Sequence, residues 1–322
     1  MKNASETNDY SNLDHFVPHP SNDILVPIAD RKSGENKKTE AWDQDSSDCE
    51  KLATKYEQAT DAVVKEEVAA KLGQYLTEWE AAYKPSNDAV KNSYLPLDQK
   101  IFVKMFNAAT VTWKGLTTEE QQSAIELADR TARLDQNWWL PLENLTEGLQ
   151  NNRYCHSLNL RASAAAVLEL GGIAKGTKLA FDTDRDLSEY LATSVDDTGA
   201  TIDFRERQSL HYQVFGLQPL FEAAETLEQL GFPRTTEDRQ HLADAVRFLE
   251  SYIKGDQVNI EFKGTLNPRD IARNKDTALK PYQIQNQPNN ELKHLLEISA
   301  RILPNEAWIP NSLAVVTTKY EA

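Results

Sequence analysis

Four side chains that exchange protons or bind anions lie close together in the stretch 196–231: Arg205, Arg207, His211 and Tyr212. A positive charge near a tyrosine favours the phenolate, which lowers a side-chain pKa that is about 10 in isolation. Tyr212, flanked by guanidinium groups, is therefore a candidate for removing or delivering a proton. The alternative is that His211 and Tyr212 fill space between helices while both arginines pair with carboxylates, as most such residues do.

A helix must position these four side chains. Apolar residues recur every three or four positions from 210 onward, which predicts a helix packed on a core; they are Leu210, Val214, Leu217, Phe221, Ala224 and Leu227. Gly231 is expected to end this helix. The segment 201–207 follows a turn and is expected to be irregular or extended, with the helix starting near Gln208. The four side chains thus lie where a loop meets a helix.

A second group of polar side chains precedes the first. Asn151 and Asn152 lead through Arg153 and Tyr154 into an Ala-rich helix that we expect at 156–170. Its small residues permit close approach of a neighbouring helix. Asparagines in a loop are turn formers by default, so this group alone does not indicate a site.

Two tryptophans, Trp138 and Trp139, come shortly before the asparagines. Exposed indole rings stack on flat apolar groups, and the apolar faces of sugar rings are such groups. Tryptophan is also usually well buried. We therefore expect one of the two to bind sugar, and the alternative is that they fill the core.

Together the two groups resemble the polysaccharide lyases of the alginate lyase superfamily, family 5 and its relatives. That family has an Asn-Asn-His loop leading into a helix rich in small residues, then an Arg followed seven residues later by the Tyr of a Leu-His-Tyr element. Here Asn151 and Asn152 precede the Ala-rich helix, and Arg205 stands seven residues before Tyr212. The Leu-x-Pro-Leu at 217–220 is also similar to the family.

The chain departs from the family at residue 153, where an arginine stands in place of the family's histidine. His156, three residues further on, is the alternative substitute if the loop is shifted by a turn. Weaker similarity covers residues from about 71 to 255.

The resemblance implies β-elimination on a uronic acid polysaccharide such as alginate or polymannuronate: a proton leaves C5 and the bond from C4 to the glycosidic oxygen breaks. Tyr212 is then the proton-transfer residue, and His211 helps to position the chain. Asn152 and a cation neutralise the substrate carboxylate; the candidate cations are Arg153, His156 and Arg205. The expected substrate-binding residues are Trp138, Trp139, Tyr154, His156 and Arg207.

Two other functions stay open. One is a carbohydrate-binding or scaffold protein that kept the fold and lost catalysis with the histidine, for which Arg153 is the main support. The other is a helical interaction protein whose motifs match by coincidence. Hydrolysis would instead require a pair of carboxylates acting as acid and base or nucleophile, and we find none placed in these two stretches.

Successive helix pairs without convincing strands predict an all-α fold. We expect an incomplete α/α toroid or barrel built from antiparallel helix pairs, which the resemblance also implies. Residues 1–44 are expected to form a polar, partly disordered arm, and 45–322 a single catalytic-type domain. Within that domain, 256–290 is expected to be a long loop or lid, and 308–317 an extended tail.

Local signals place several helix boundaries. A helical pattern begins near Ser47 and is divided either at 59–61 or at Gly73. The spacing of Thr117 and Glu120 predicts a capping box at the start of a later helix.

The composition limits the partners of the chain. Its 322 residues, 40% of them hydrophobic, suffice for one large globular domain or two smaller ones. A net charge of −15 argues against nucleic acid and anionic membranes, because both need a basic surface. It also counts mildly against a polyuronate substrate unless arginines gather in one cleft; the candidates are Arg153, Arg161, Arg205 and Arg207.

Cys49 and Cys155 are compatible with one disulfide or with two free thiols. No zinc-ligand spacing occurs, so we expect no structural metal, and we expect no cofactor. No run approaches the roughly 20 apolar residues of a spanning helix, and the N-terminal residues lack the apolar segment of a signal peptide. Because the resembled enzymes are exported, the resemblance implies a periplasmic or secreted protein.

Overall fold

A computed structural model describes residues 13–21, 37–85, 99–139, 151–207, 210–254 and 289–318. These residues form eleven α-helices and one 3-10 turn at Trp113–Gly115. The helices are α1 Lys37–Gln58, α2 Ala62–Ala82, α3 Lys100–Thr112, α4 Thr118–Trp139, α5 Asn152–Leu170, α6 Lys175–Ser194, α7 Ile202–Arg207, α8 Leu210–Gln229, α9 Thr236–Lys254, α10 Asn289–Ile302 and α11 Trp308–Thr318. Within the same ranges no strand forms beyond one isolated bridge between Val195 and Thr201. The predicted all-α class is confirmed.

The chain divides into two compact units. The first comprises Met1–Leu142 and Ser163–Lys178 and contains α1 to α4. α1 and α2 are antiparallel: Asp45 of α1 meets Trp79 of α2, and the later Asp48 meets the earlier Tyr75. α1 and α3 are parallel, because contacts between them advance along both helices, as the pairs Asp43–Lys100 and Glu50–Lys104 show.

The core of the first unit is aromatic and fully buried. Trp79 packs edge-on against Phe102 with ring centroids 5.6 Å apart, and the ring of Tyr83 lies 4.6 Å from that of Phe102. Large rings of this kind bury more apolar surface than aliphatic side chains. They hold α2 against α3.

The second unit comprises Glu143–Ala162 and Leu179–Ala322 and arranges its helices in two layers. In one layer α5, α8 and α10 run in the same direction. Contacts advance together along these helices. Asn152 and then Asn159 of α5 approach Gly216 and then Glu222 of α8, and Glu222 and Glu225 of α8 pair with His294 and Arg301 of α10.

The other layer contains α6 and α9, which are also parallel to each other. Asp184 and Ser188 of α6 contact Arg234, just before α9, and Asp238 within it. α5 and α6 are antiparallel, because Tyr154 contacts Tyr190 while the later Arg161 contacts the earlier Asp186. This alternation is what antiparallel helix pairs in a toroid require; closure into a toroid stays a prediction.

Several local signals act as the sequence predicts. The capping box forms, since the Thr117 N–H donates to Glu120 Oε2 at 2.8 Å and the Glu120 N–H donates to Thr117 Oγ1 at 3.3 Å. Gly231 ends α8 with a φ of +90°, a conformation that favours glycine. The first helical pattern is divided at 59–61, where Asp61 caps α2, and not at the buried Gly73.

Four boundary predictions were wrong. The first helix begins at Lys37, ten residues before Ser47. α5 begins at Asn152 and not at His156, so the asparagine group lies in a first helical turn. The segment 201–207, expected to be irregular or extended, contains the short helix α7, and the expected extended tail at 308–317 is the helix α11.

Some predictions fall outside the described residues. These include nearly all of the expected lid at 256–290 and most of the expected arm at 1–44. The single domain from 45 to 322 stays a prediction. Among the described helices, none has a stretch long and apolar enough to cross a membrane.

Candidate active site

Two helices of the second unit present their N-termini at the same end of that unit, because α5 and α8 are parallel. Asn152 lies in the first turn of α5, and Tyr212 in the first turn of α8. The unpaired N–H groups of a helix N-terminus carry a partial positive charge. The partial charges of these two N-termini attract anions, and Asn152 and Tyr212 lie next to them.

Asn151 caps α5. Its side-chain Oδ1 accepts from the N–H of Arg153 at 3.0 Å, and its carbonyl oxygen accepts from the N–H of Tyr154 at 2.8 Å. These are the bonds of an N-cap asparagine, which satisfies helix N–H groups that have no partner within the helix. Asn151 is thus occupied in starting the helix.

Asn152 is in a different position. Its side chain is buried, with the residue 2% exposed, and its Oδ1 has no hydrogen-bond partner among the described residues. A buried amide oxygen without a partner costs about 1–3 kcal/mol of folding free energy. Of the two asparagines, Asn152 is therefore the one with hydrogen-bonding capacity left for a ligand.

Gly216 brings α8 close to Asn152. A Cβ placed on Gly216 would lie 3.7 Å from the Cβ of Asn152 and 3.5 Å from Oδ2 of Asp203. Tyr212 precedes Gly216 by four residues, so the two lie one above the other on the same face of α8. The half-buried Tyr212 is thus on the helix face that packs against the first turn of α5.

Arg205 is held by the turn between α6 and α7. Asp196 organises that turn: its Oδ1 accepts from the N–H and Oγ1 of Thr198 at 2.9 and 2.6 Å and from the N–H of Ala200 at 3.1 Å. Its Oδ2 lies 3.5 Å from the Arg205 guanidinium. Both groups are partly exposed, and ion pairs of this kind contribute about 0.2–1 kcal/mol. Arg205 can therefore exchange Asp196 for an anionic ligand at little cost.

Gln213, which no sequence pattern singled out, anchors α8 to the same turn. Its amide oxygen accepts from the N–H and Oγ1 of Thr201 at 2.9 and 2.7 Å. Its amide nitrogen donates to the carbonyls of Gly199 at 2.9 Å and Ala245 at 3.2 Å. Only the position directly after Tyr212 distinguished it in the sequence.

The four arginines proposed to gather in one cleft differ in their surroundings. Arg161 is buried and pairs with Asp186 at 2.8 Å, so it stabilises the contact between α5 and α6. Arg205 pairs with Asp196. Arg153 is half-buried on the first turn of α5, and no carboxylate in the described part of the chain forms an ion pair with it. The side chains of Arg207 and of the adjacent candidate His211 lie outside what the structure describes.

Tyr154 and His156 contact other side chains of the second unit. The ring of Tyr154 lies under the Arg161 guanidinium at 5.6 Å and 5.9 Å from the ring of Tyr190. His156 is one turn after Asn152 on the same face of α5, and its ring packs against Phe215 at 4.9 Å. The positions of both residues therefore depend on the packing of α5.

Cys155, near the start of α5, is buried and is not part of a disulfide, and the same is true of Cys49 in α1. Burial raises the pKa of the Cys155 thiol, and the nearby Asp203 carboxylate raises it further. Burial likewise raises the pKa of Tyr190, with Cys155 and Asp203 adding to the effect. Both groups stay protonated at neutral pH, so neither supplies a nucleophile or a base.

Trp138 and Trp139 end α4 in the first unit. Their rings meet edge to face, with centroids 4.6 Å apart, and Trp139 is the more buried of the two. Trp138 is partly exposed, which leaves part of its ring accessible. Their sugar-binding role stays a prediction.

A family model described as Alginate lyase matches residues 2–260, which is most of the chain. That region contains the asparagine group, the Asp196 turn and the first turn of α8. No individual curated protein matches the chain.

Proposed function

The chain belongs to the alginate lyase family, and from this we propose that it is a polysaccharide lyase that cleaves a uronic-acid-containing polysaccharide, such as alginate or polymannuronate, by β-elimination. The observation that carries the proposal is that Asn152, with an unused amide oxygen, faces the helix surface on which Tyr212 lies. The family supplies the substrate class, the resemblance supplies the proposed roles, and the geometry is consistent with them.

The first requirement of the reaction is to stabilise charge on the substrate carboxylate. The C5–H bond is a weak carbon acid, and negative charge moves toward the carboxylate as the proton leaves, so fixed donors and cations near it lower the barrier. The donors that Asn152 offers to this carboxylate are the N–H groups of its amide. Arg153 and Arg205 supply positive charge, and the N-termini of α5 and α8 add to it.

The second requirement is proton transfer at C5 and at the leaving oxygen on C4. We assign it to Tyr212. Arginine stays charged at any working pH and cannot accept a proton, so Arg153 replaces the charge of the family's histidine but not its capacity to act as a base. Tyr212 serves both positions when the C5 proton and the C4 oxygen lie on the same face of the sugar ring.

The remaining candidate residues are proposed to bind substrate or to support those that do. Trp138 and Trp139 stack on sugar rings, Tyr154 and His156 line the surface around Asn152, and Arg207 binds a carboxylate. His211 helps to position the chain next to Tyr212. The expected partner is an anionic polysaccharide, and the expected location is the periplasm or the exterior of the cell.

A second function is favoured by one observation. Arg153 stands in place of the family's histidine, and an arginine suits anion binding as well as catalysis. A protein that binds the polysaccharide without cleaving it would need the cations and aromatic rings alone. Such a protein would not require Tyr212 to lie within proton-transfer distance of a bound sugar.

The test is to incubate the purified chain separately with polymannuronate, polyguluronate, glucuronan and hyaluronan, and to follow the ultraviolet absorbance of unsaturated uronates. Lyase activity predicts that the absorbance rises with at least one polymer. It also predicts that no water molecule is added to the products. Digestion in water enriched in heavy oxygen checks this by mass spectrometry, because a hydrolase incorporates the label. Binding without any rise on the four polymers would favour the second function, and incorporated label would contradict elimination.

A further inference from the structure

We propose that Gln213 is a positioning residue that fixes Tyr212 relative to Arg205. The inference rests on the proposed function, in which these two side chains act on the same sugar unit. Gln213 itself is buried, with no exposed surface, and does not touch the substrate. Its role is to hold two helices in one relative position.

The hydrogen bonds of Gln213 leave it no alternative arrangement. A glutamine amide has two acceptor sites and two donor hydrogens. Both acceptor sites are used by Thr201, at 2.9 and 2.7 Å, and both donors by the carbonyls of Gly199 and Ala245, at 2.9 and 3.2 Å. Rotating the amide by a half-turn would place its nitrogen against donors and its oxygen against carbonyls, so one orientation is fixed.

Thr201, the main partner of Gln213, is also the residue on which the helix of Arg205 is built. The Thr201 hydroxyl accepts from the N–H of Phe204 at 3.4 Å, and its carbonyl accepts from the N–H of Arg205 at 3.0 Å. Thr201 therefore caps α7. Because Gln213 follows Tyr212 directly in α8, one side chain connects the backbone of Tyr212 to the cap of the helix that carries Arg205.

The turn that Gln213 binds is itself fixed against α9. Gly199 has a φ of +83°, and a Cβ on it would lie 2.1 Å from the carbonyl oxygen of Asp244. No larger residue fits there without moving the backbone. The turn thus contacts α9 on one side and Gln213 on the other, and it carries Asp196, which pairs with Arg205.

An apolar side chain at position 213 would still bury surface between the helices, but it would not define their register. Saturated buried hydrogen-bond networks specify one arrangement, and partly satisfied ones are costly. A displacement of about 1 Å at groups that act on one substrate lowers the rate by as much as about a hundredfold. This predicts that loss of the Gln213 bonds reduces turnover more than it reduces binding.

The main test compares Gln213→Met with Leu227→Ala. The methionine has a similar volume and makes none of the four bonds. Leu227 is fully buried in the same helix, about four helical turns after Gln213. We expect kcat to fall about tenfold to a hundredfold in Gln213→Met, with a smaller change in KM. Leu227→Ala is expected to lower the melting temperature and to leave kcat unchanged. Equal kcat in the two variants at equal loss of stability would overturn the proposal.

A milder pair covers the case in which Gln213→Met does not fold. Thr201→Val removes the hydroxyl that bonds to Gln213, and Thr201→Ser keeps it. We expect Thr201→Ser to retain the wild-type kcat and Thr201→Val to lose it. Loss of kcat in both, or in neither, would contradict a positioning role for this bond.

Hydrogen exchange separates failure of this inference from failure of the proposed function. If the wild-type chain cleaves no polymer, the proposed function is wrong, but the geometric role of Gln213 is still measurable. Amide exchange at Phe204 and Arg205 should be faster in Gln213→Met and unchanged in Leu227→Ala. Unchanged exchange in Gln213→Met would overturn the positioning role whatever the activity.

Discussion

Two clusters of polar side chains, one in each unit, differ in how far their hydrogen-bonding groups are paired within the protein. In the first unit the Asp45 carboxylate accepts from Trp79 Nε1 and from the N–H of His19, both at 2.8 Å, and it pairs with His19 Nδ1 at 2.9 Å. Asp48 accepts from the Tyr75 hydroxyl at 3.0 Å. Each of these carboxylates has partners within its own unit.

In the cluster at the N-termini of α5 and α8, by contrast, some polar groups lack a partner or are weakly paired. The Asn152 oxygen has no partner among the described residues, and the pair between Arg205 and Asp196 is long and partly exposed. Polar groups that bond only to one another stabilise a fold, whereas groups with unused capacity are available to a ligand. This difference supports the proposal that the second cluster is the functional one.

The largest effect is expected from Asn152→Ala, with Asn151→Ala as its neighbour and control. Removing a donor to developing negative charge lowers kcat by about 10²–10³-fold, while stability should not fall, because the buried Asn152 Oδ1 has no described partner to lose. Asn151→Ala removes the cap of α5 and should cost about 1 kcal/mol of unfolding free energy. Initial rates and urea denaturation measure the two effects. A larger stability loss in Asn152→Ala than in Asn151→Ala would reverse our assignment of the pair.

Arg153→His is expected to have a smaller, pH-dependent effect. Histidine has an ordinary pKa of about 6.5, and a helix N-terminus disfavours its charged form. The variant should therefore lose the charge as pH rises, so that its KM increases about tenfold between about pH 5 and pH 8, while arginine keeps its charge throughout.

The same variant also tests the second function. If the wild-type chain only binds polysaccharide, restoring the family's histidine should create activity that the wild type lacks. A KM that does not vary with pH in Arg153→His would show that residue 153 does not contact the substrate carboxylate.

The residue types of this cluster could be predicted from the sequence, but most of the contacts that position them could not. The apolar stripe of α8, the Gly231 stop and the seven-residue spacing of Arg205 and Tyr212 are local patterns, which can be recognised in the sequence alone. Gln213 could not be recognised in this way, because its importance comes from contacts with Gly199, Thr201 and Ala245, which are distant in sequence.

The misassigned helices have similar causes. α7 is too short to show periodicity, and it begins at Ile202 because the hydroxyl of Thr201 caps it. α11 contains valines and threonines, which favour extended structure when isolated. It is helical because Ile309 and Val316 are fully buried, so tertiary packing outweighs local preference.

The smallest effect is expected from Asp45→Asn, in the first-unit cluster of His19, Asp45, Asp48, Tyr75 and Trp79. Burial raises the pKa of Asp45, although hydrogen bonds from His19 and Trp79 oppose this. A raised pKa means that the protonated form favours the fold, so this contribution to stability is present below the ordinary aspartate pKa and is lost as pH rises through the raised value. Asparagine mimics the protonated form. Relative to wild type, Asp45→Asn should therefore gain unfolding free energy across that pH window.

Urea denaturation at a series of pH values measures this gain, and kcat should not change because Asp45 bonds to His19 and Trp79, neither of which is a candidate site residue. A variant less stable than wild type at every pH would show that the bonds to the ionised carboxylate outweigh its burial.

The most direct test of the account is to compare Tyr212→Phe with Tyr190→Phe by the ultraviolet absorbance of unsaturated uronate. Tyr190 is buried and bonds to Cys155, so its hydroxyl belongs to the protein interior. We predict that Tyr212→Phe lowers the rate by about 10²–10⁴-fold, the usual contribution of a general acid or base, with an unchanged melting temperature, whereas Tyr190→Phe changes stability and keeps the rate. Product formation by Tyr212→Phe at the wild-type rate would contradict the account.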